Sequence, residues 1–390
     1  MNPIQIKKGE KKMKKFLTLF LALSLVLSLG ACSSQKADEQ QPDTTPETPA
    51  EDTQPAEDGD YSLRVGLLGN SVKPVGVLVA KALGYFDEEG VNIDFEKVSS
   101  MNDAYTAVST GDLDVYLFSS TTAATFISQG VTTLRVFGGT AAEGSEIMAA
   151  ADSDFVLDSP DDFVGLTIGC FMAETGQMVL KNYLMEQGYT IGEPGEGADV
   201  NFVYYSDSSS GIAACVNGEY DLVLTNACLG YYADQYGVKV AATVSDFVNP
   251  YPCCRQTCNS DTYDTNKEAL VRFETAALRG QAYAVEHPEE ALDMLVEYSG
   301  EDRDFLKAQI YGTDTYTPDM RLTLDPDKDA CVAFYEAMEN IGEIQPVSDI
   351  NWSDYVVTDV YGDALARLSQ REPDNARWTE LTEYFNAHNS

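Results

Sequence analysis

The chain has 390 residues, with 63 Asp or Glu against 25 Lys or Arg and a formal net charge of −38. So acidic a chain repels nucleic-acid phosphates, which excludes a nucleic-acid-binding role. Its folded length exceeds what one ordinary hydrophobic core organises, so two lobes are expected.

The N-terminus opens with Lys11, Lys12, Lys14 and Lys15, followed by the uncharged run "FLTLFLALSLVLSLGA" and then Cys32. A basic head, a short apolar stretch and small residues before a cysteine read as a secretory signal with a lipobox over residues 1–32. Cys32 is then the lipidated mature N-terminus. The apolar run falls short of the ~20 residues that a membrane span needs. "MKKFLTLF" makes Met13 an alternative start to Met1. Residues 33–60, rich in Pro, Thr, Glu, Asp and Gln, lack the apolar side chains to build a core. They are expected to be a disordered, extended tether. The protein is therefore expected outside the cytoplasm, held to the cell membrane by lipid.

From residue 61 the pattern alternates. "LRVGLL" (63–68) predicts a strand and "KPVGVLVAKALGYF" a helix opened by Pro74. "VNIDFEKV" (91–98) predicts a strand, "NDAYTAVSTG" a helix and "LDVYLF" (113–118) a strand. The plan recurs with "LTIGC" (166–170), "ETGQMVLKNYLMEQG", "VNFVYY" (200–205), "SSSGIAACVNG" and "YDLVLT" (220–225). "STGDLDVYLFSST" (109–121) even aligns with "VNGEYDLVLTNAC" (216–228), Gly111 matching Gly218. Alternation of this kind implies α/β lobes with parallel sheets. The expected organisation is 61–148 plus 253–390 for the first lobe and 149–252 for the second. Residues 264–390 read as helical. The first of these helices carries an apolar stripe at Leu270, Phe273, Ala277 and Ala284, and others fall near 289–298, 327–342 and 353–370.

Open parallel sheets bind ligands beyond the carboxyl ends of their strands. The loops there are small and hydroxyl-rich: "GNSVKP", "SSMND", "SSTTA", "FMAETG", "SDSSSG" and "TNACLG". Free backbone N–H groups at such turns accept polar ligand atoms, although the same residues also serve as ordinary helix caps. Asn70, Ser71, Lys73, Ser119, Ser120, Thr121, Glu174, Thr175, Ser206 and Asn226 are the candidate polar contacts. Phe118, Phe171 and Tyr205, with Tyr85 and Tyr204 nearby, could sandwich a flat or apolar group.

"NPYPCCRQTC" (249–258) looks too polar and too proline-marked for a core strand and is expected on the return crossing between lobes. No C-x-x-C pair exists there, and three thiolates fall short of a structural zinc set, so no metal is assigned. A redox dithiol and a disulfide stay open; Cys253 and Cys254 are read as pocket wall. Arg255 is expected to grip a ligand anion bidentately, or else to bridge the hinge, and Gln256 to read a polar edge. Eight cysteines less Cys32 leave seven, so at least one thiol is free or pairs between molecules.

"VAKALGYFDEEGVNIDFEKV", "AVSTGDLDVYLFSS", "AVEHPEEALDML" and "MENIGEIQPVSDINWSDYVVTDVYGDAL" resemble the nitrate/sulfonate/taurine/thiamine-precursor class of ABC-transporter substrate-binding proteins, across roughly residues 62–365. The resemblance implies a type II periplasmic-binding fold, two lobes closing on a hinge, no cofactor and no catalysis. It also implies a monomer that delivers a small organic solute to an ABC permease and its ATPase. The named guess for that solute is a thiamine-pyrimidine precursor, with a sulfonate beside it. The cysteine stretch is also similar to a motif of the thiamine-pyrimidine synthases, the competing metal-binding or enzymatic reading through Cys253, Cys254 and Cys258. That chemistry consumes a histidine of the cleft, and only His287 and His388 exist, both in the helical C-terminal part.

Overall fold

In Tyr61–Leu68 (β1) the side chains of Leu63, Val65 and Leu67 are buried while Ser62, Arg64 and Leu68 are more open, the period-two alternation of a strand. β1 belongs to a computed structural model that describes residues 61–172 and 174–390. The expected signal of residues 1–32, with Cys32, and the expected tether of residues 33–60 lie outside the described residues.

Ten further strands follow: Val91–Val98 (β2), Val115–Tyr116 (β3), Leu134–Ala142 (β4), Glu146–Ala150 (β5), Thr167–Cys170 (β6), Ile191–Gly192 (β7), Val200–Tyr204 (β8), Leu222–Thr225 (β9), Val238–Thr243 (β10) and Pro252–Asn259 (β11). They form two sheets among the described residues, ordered β2-β1-β3-β11-β4 and β10-β5-β9-β6-β8-β7. β1 runs parallel to β2 and β3, and β6 parallel to β8 and β9, which gives both sheets the anticipated parallel centre. The sheets are nonetheless mixed. β11 is antiparallel to β3 and β4, and β5 is antiparallel to β9 and β10. These strands adjoin the two places where the chain passes from one sheet to the other, residues 143–145 and 244–251, so they enter against the direction of the repeat.

The cysteine stretch corrects the sequence expectation most plainly. It is not a loop but β11, an interior strand of the first sheet, almost wholly buried. Its polarity misleads because every polar side chain has a partner inside. Gln256 Nε2 donates to Gly139 O at 2.9 Å and to Glu274 Oε2 at 2.8 Å. Thr257 Oγ1 lies 3.2 Å from the Tyr105 hydroxyl, and Asn259 Nδ2 donates to Val108 O at 2.7 Å. Buried polar groups are tolerated when bonded in this way.

The C-terminal part is helical, and the stripe Leu270, Phe273, Ala277 and Ala284 is buried along the helix Lys267–Glu286. That helix packs on Val75–Leu83 at very short range. A Cβ added to Gly280 would stand 2.1 Å from Gly76 O, and one added to Gly76 would stand 2.6 Å from Ala277 O. Helices Arg303–Tyr311 and Ala376–His388 had no counterpart in the expected set.

Candidate functional site

Strand ends from both sheets converge on one cavity of about 150 Å³. From the first sheet, β1 ends at Leu68. Gly69 then turns with φ +51°, which glycine adopts without strain, and Ser71 and Lys73 follow on the cavity wall. After β3 come Phe118 and Ser119, the latter a non-glycine residue at φ +59°. Tyr105, fully buried, holds that turn by donating its hydroxyl to Phe118 O at 2.8 Å and Ser119 O at 3.0 Å. Ser119 Oγ in turn accepts the Thr122 N–H at 3.2 Å and caps the helix Ser120–Ser128. A left-handed residue held this firmly at a cavity wall is typical of functional turns.

From the second sheet, β6 leads to Phe171 and Glu174, and Thr175 begins the helix Thr175–Glu186. β9 delivers Asn226. The crossing between β4 and β5 supplies Ser145, which meets the start of that helix so closely that a Cβ at Gly176 would sit 2.2 Å from Ser145 Oγ. Met101 and the start of β11, Cys253 and Cys254, complete the wall.

The structure thus brings together Ser71, Lys73, Phe118, Ser119, Thr121, Phe171, Glu174, Thr175, Asn226, Cys253 and Cys254. It leaves the other six expected residues elsewhere. Asn70 turns away, accepting Lys97 Nζ at 2.6 Å and donating to Ser299 O. Ser120 is buried against the Tyr335 hydroxyl at 3.0 Å. Tyr205 stands behind Phe171, ring centroids 6.3 Å apart, with its hydroxyl on Leu224 O. Ser206 is exposed and bonded to Asp207. Gln256 belongs to the Glu274 contact described above.

Arg255 is the largest correction. Its side chain is 0% exposed and lies away from the cavity. Nε donates to Cys331 Sγ at 3.2 Å, Nη1 to Ala141 O at 3.0 Å, and Nη2 sits 3.9 Å from Asp327. A guanidinium committed to that interior cannot grip a solute. Neither role foreseen for it is the one present: its acidic neighbour, Asp327, lies in the helical cover of the same sheet and not across the hinge. Tyr85 and Tyr204 are likewise engaged elsewhere, Tyr85 under the Arg279 guanidinium and Tyr204 with Lys181. Sequence reasoning missed Leu68, Met101 and Ser145. Met101 stood in a quoted loop, but Ser145 lies on a crossing that the rule of parallel strand ends does not reach.

The charges in the cavity are few and coupled. Lys73 Nζ donates to Cys253 Sγ at 3.6 Å, and Cys253 Sγ lies 3.6 Å from Cys254 Sγ. The hydrogen bond from Cys253 holds the Cys254 thiol below the usual cysteine range; burial opposes this, and Lys73 and the Ser119 N–H reinforce it. The same contact drives Cys253 well upward. Lys73 is raised, first by Cys253, against the pull of burial. Glu174 is 4% exposed, and neither carboxylate oxygen has a hydrogen-bond partner of good geometry. Burial pushes its pKa up to about 8, with Cys253 adding to the rise and the Ser145 hydroxyl and Lys73 drawing it down. At neutral pH the cavity therefore presents a largely protonated carboxyl, an ammonium already matched to a thiol pair, and the apolar surfaces of Phe118, Phe171, Leu68 and Met101. Neither histidine lines it: His287 rests on Tyr283 and His388 on Tyr384.

Comparison with known proteins bears on the fold and the family. A formylaminopyrimidine-binding protein of Halalkalibacterium halodurans is 27% identical over 218 residues, a match covering 56% of this chain and 64% of that relative's length. Among solved structures, the periplasmic nitrate-binding protein NrtA of Synechocystis PCC 6803 superposes with a TM-score of 0.60 at 15% identity, covering 82% of this chain and 90% of its own. The periplasmic aliphatic sulphonate binding protein SsuA of Escherichia coli gives 0.58 at 14%, over 78% of this chain and 100% of its own. The fold is that of the periplasmic binding proteins. A family model described as NMT1/THI5 like matches residues 72–291, more than half the sequence, and the chain belongs to that family.

Proposed function

We propose that this protein captures a small, neutral nitrogen heterocycle of the aminopyrimidine type in the cavity between its two sheets and passes it unchanged to an ABC permease. The observation that carries the reading is Glu174: a buried carboxyl whose oxygens make no well-formed hydrogen bond among the described residues, facing a cavity with aromatic walls. An unpaired polar group in such a place is costly unless something else satisfies it. A protonated carboxyl can donate to a ring nitrogen while Phe118 and Phe171 cover the ring faces. A sulfonate or nitrate fits less well, because Lys73, the one cation among the described residues lining the cavity, is already matched by the thiols. The name of the Halalkalibacterium relative points the same way.

In this reading the two sheets are the cores of two lobes that hinge at residues 143–145 and 244–251 and close over the solute. The change of lobe then falls just before β5, slightly earlier than residue 149. The lipid on Cys32 and the tether of residues 33–60 would keep the monomer at the outer face of the membrane, beside its permease.

Titration calorimetry with a formylaminopyrimidine and with an alkanesulfonate tests the proposal. The expected result is saturable one-to-one binding of the pyrimidine, at least tenfold tighter than the sulfonate, ~1.4 kcal/mol. Preference for the sulfonate would overturn it.

A further inference from the structure

Cys253 and Cys254 are sequence neighbours, and in an undisturbed strand their side chains would leave on opposite faces. Here both reach the cavity, their sulfurs 3.6 Å apart. The pairing of β11 with β4 shifts register on either side of Cys254, and a bulge of this kind re-aims side chains. Lys73 adds an ammonium 3.6 Å from Cys253 Sγ. Cys253 is half-buried, whereas Cys170, Cys215, Cys228, Cys258 and Cys331 are all buried.

We propose that Cys253 and Cys254 are a reversible redox site in the cavity wall, closing to a disulfide between adjacent residues on reaction with a small-molecule disulfide. Cys253, the more exposed thiol, passes its proton to the Cys254 sulfur beside it. The resulting Cys253 thiolate, its charge supported by Lys73, attacks one sulfur of the oxidant and expels the first thiolate, which takes that proton from Cys254. The Cys254 thiolate then attacks Cys253 Sγ in the mixed disulfide and expels the second. The pair, one thiol and one thiolate, loses two electrons and one proton, solvent supplies the second proton, and the oxidant leaves as two thiols. Adjacent α-carbons stand about 3.8 Å apart across a trans peptide, below the roughly 4.4–6.8 Å of ordinary disulfides. The bond is therefore strained and easily reduced, a property of regulatory rather than structural disulfides.

Closure changes the cavity electrostatically. It removes the thiols that match Lys73, so the ammonium turns to Glu174 and favours its ionised form. The reduced cavity offers a neutral acid, and the oxidised one an ammonium–carboxylate pair. That consequence for the solute rests on the function proposed above; the disulfide itself does not.

The test equilibrates the full chain with cystamine and cysteamine at a series of ratios, then alkylates and digests it for mass spectrometry. The expected result is a 253–254 peptide two hydrogens lighter and free of alkyl groups, with the other described cysteines alkylated, and full reversal by excess cysteamine. Cys254→Ser should stop at a cysteamine adduct on Cys253. Lys73→Met, which removes support for the reduced thiolate, should move the midpoint about tenfold toward the disulfide, ~30 mV for a two-electron couple. Alkylation of both thiols at every ratio, a persistent adduct in the native sequence, or pairing with another cysteine would overturn the proposal. No solute enters the assay, so its failure leaves the solute-capture reading to its own test.

Discussion

Glu174 and Arg255 show how much one side chain's surroundings decide. Glu174 was an expected contact and lies in the cavity with a pKa of about 8. If its protonated form donates to the solute, Glu174→Gln, which keeps a donor, should bind within a few-fold of the native protein. Glu174→Ala should lose about tenfold or more, ~1.4 kcal/mol. Native affinity should also fall as pH rises through about 8, where the donor is lost, and the Gln variant should not follow; calorimetry at several pH values reads all three. Arg255 was expected as a ligand contact on the crossing between lobes and is instead sealed within the first sheet and its cover. Removing one partner of a buried pair costs ~3–5 kcal/mol. Asp327 keeps Arg321 at 3.0 Å and the Tyr384 hydroxyl at 3.0 Å, so the lower end applies. Arg255→Ala should thus lower stability in denaturant titrations by ~3 kcal/mol while leaving the solute affinity of the folded protein unchanged.

At the scale of elements, the repeat was readable because its apolar periodicity is strong. β2 matches its expected span, and most other strands of the repeat differ only at their ends. β3 is the exception, four residues shorter than its apolar run, because the chain leaves the sheet to form the Phe118–Ser119 turn. β11 was not legible, since polarity on a buried strand signals a loop until the partners are known, and those partners are distant in sequence. The cavity residues that follow parallel strands were found for the same reason that Ser145 was missed: the strand-end rule finds loops after strands, not crossings between sheets. The meeting of helices Val75–Leu83 and Lys267–Glu286 at Gly76 and Gly280 was equally invisible, because only the packed pair shows why those positions lack a side chain. Gly280→Ala must push rigid backbone apart. The expected cost is ~1–3 kcal/mol, read as a lower thermal midpoint, whereas Ala284→Gly on the same helix should cost no more than ~1 kcal/mol.

For the whole molecule, the buried acids set the response to pH. Burial raises Glu143, Glu146, Glu174, Glu274 and Asp325 alike. Between the ordinary carboxylate range and these raised values the folded state holds protons that the unfolded chain releases, so stability falls as pH rises through that window. The thermal midpoint should be higher near pH 6 than near pH 8. Repulsion within a chain of net charge −38 has the same sign but is screened by salt, whereas the buried acids are not. A pH effect that survives high salt is therefore the expected outcome, and its disappearance in salt would assign the effect to the surface.

Capture without conversion is tested most directly by saturating the protein with a formylaminopyrimidine, removing free ligand by dialysis, denaturing the complex and weighing what is released. The account predicts one intact molecule per chain, and far less from a Phe118→Ala, Glu174→Ala double variant that still folds. Release of an altered compound, or equal loading of that variant, would contradict it.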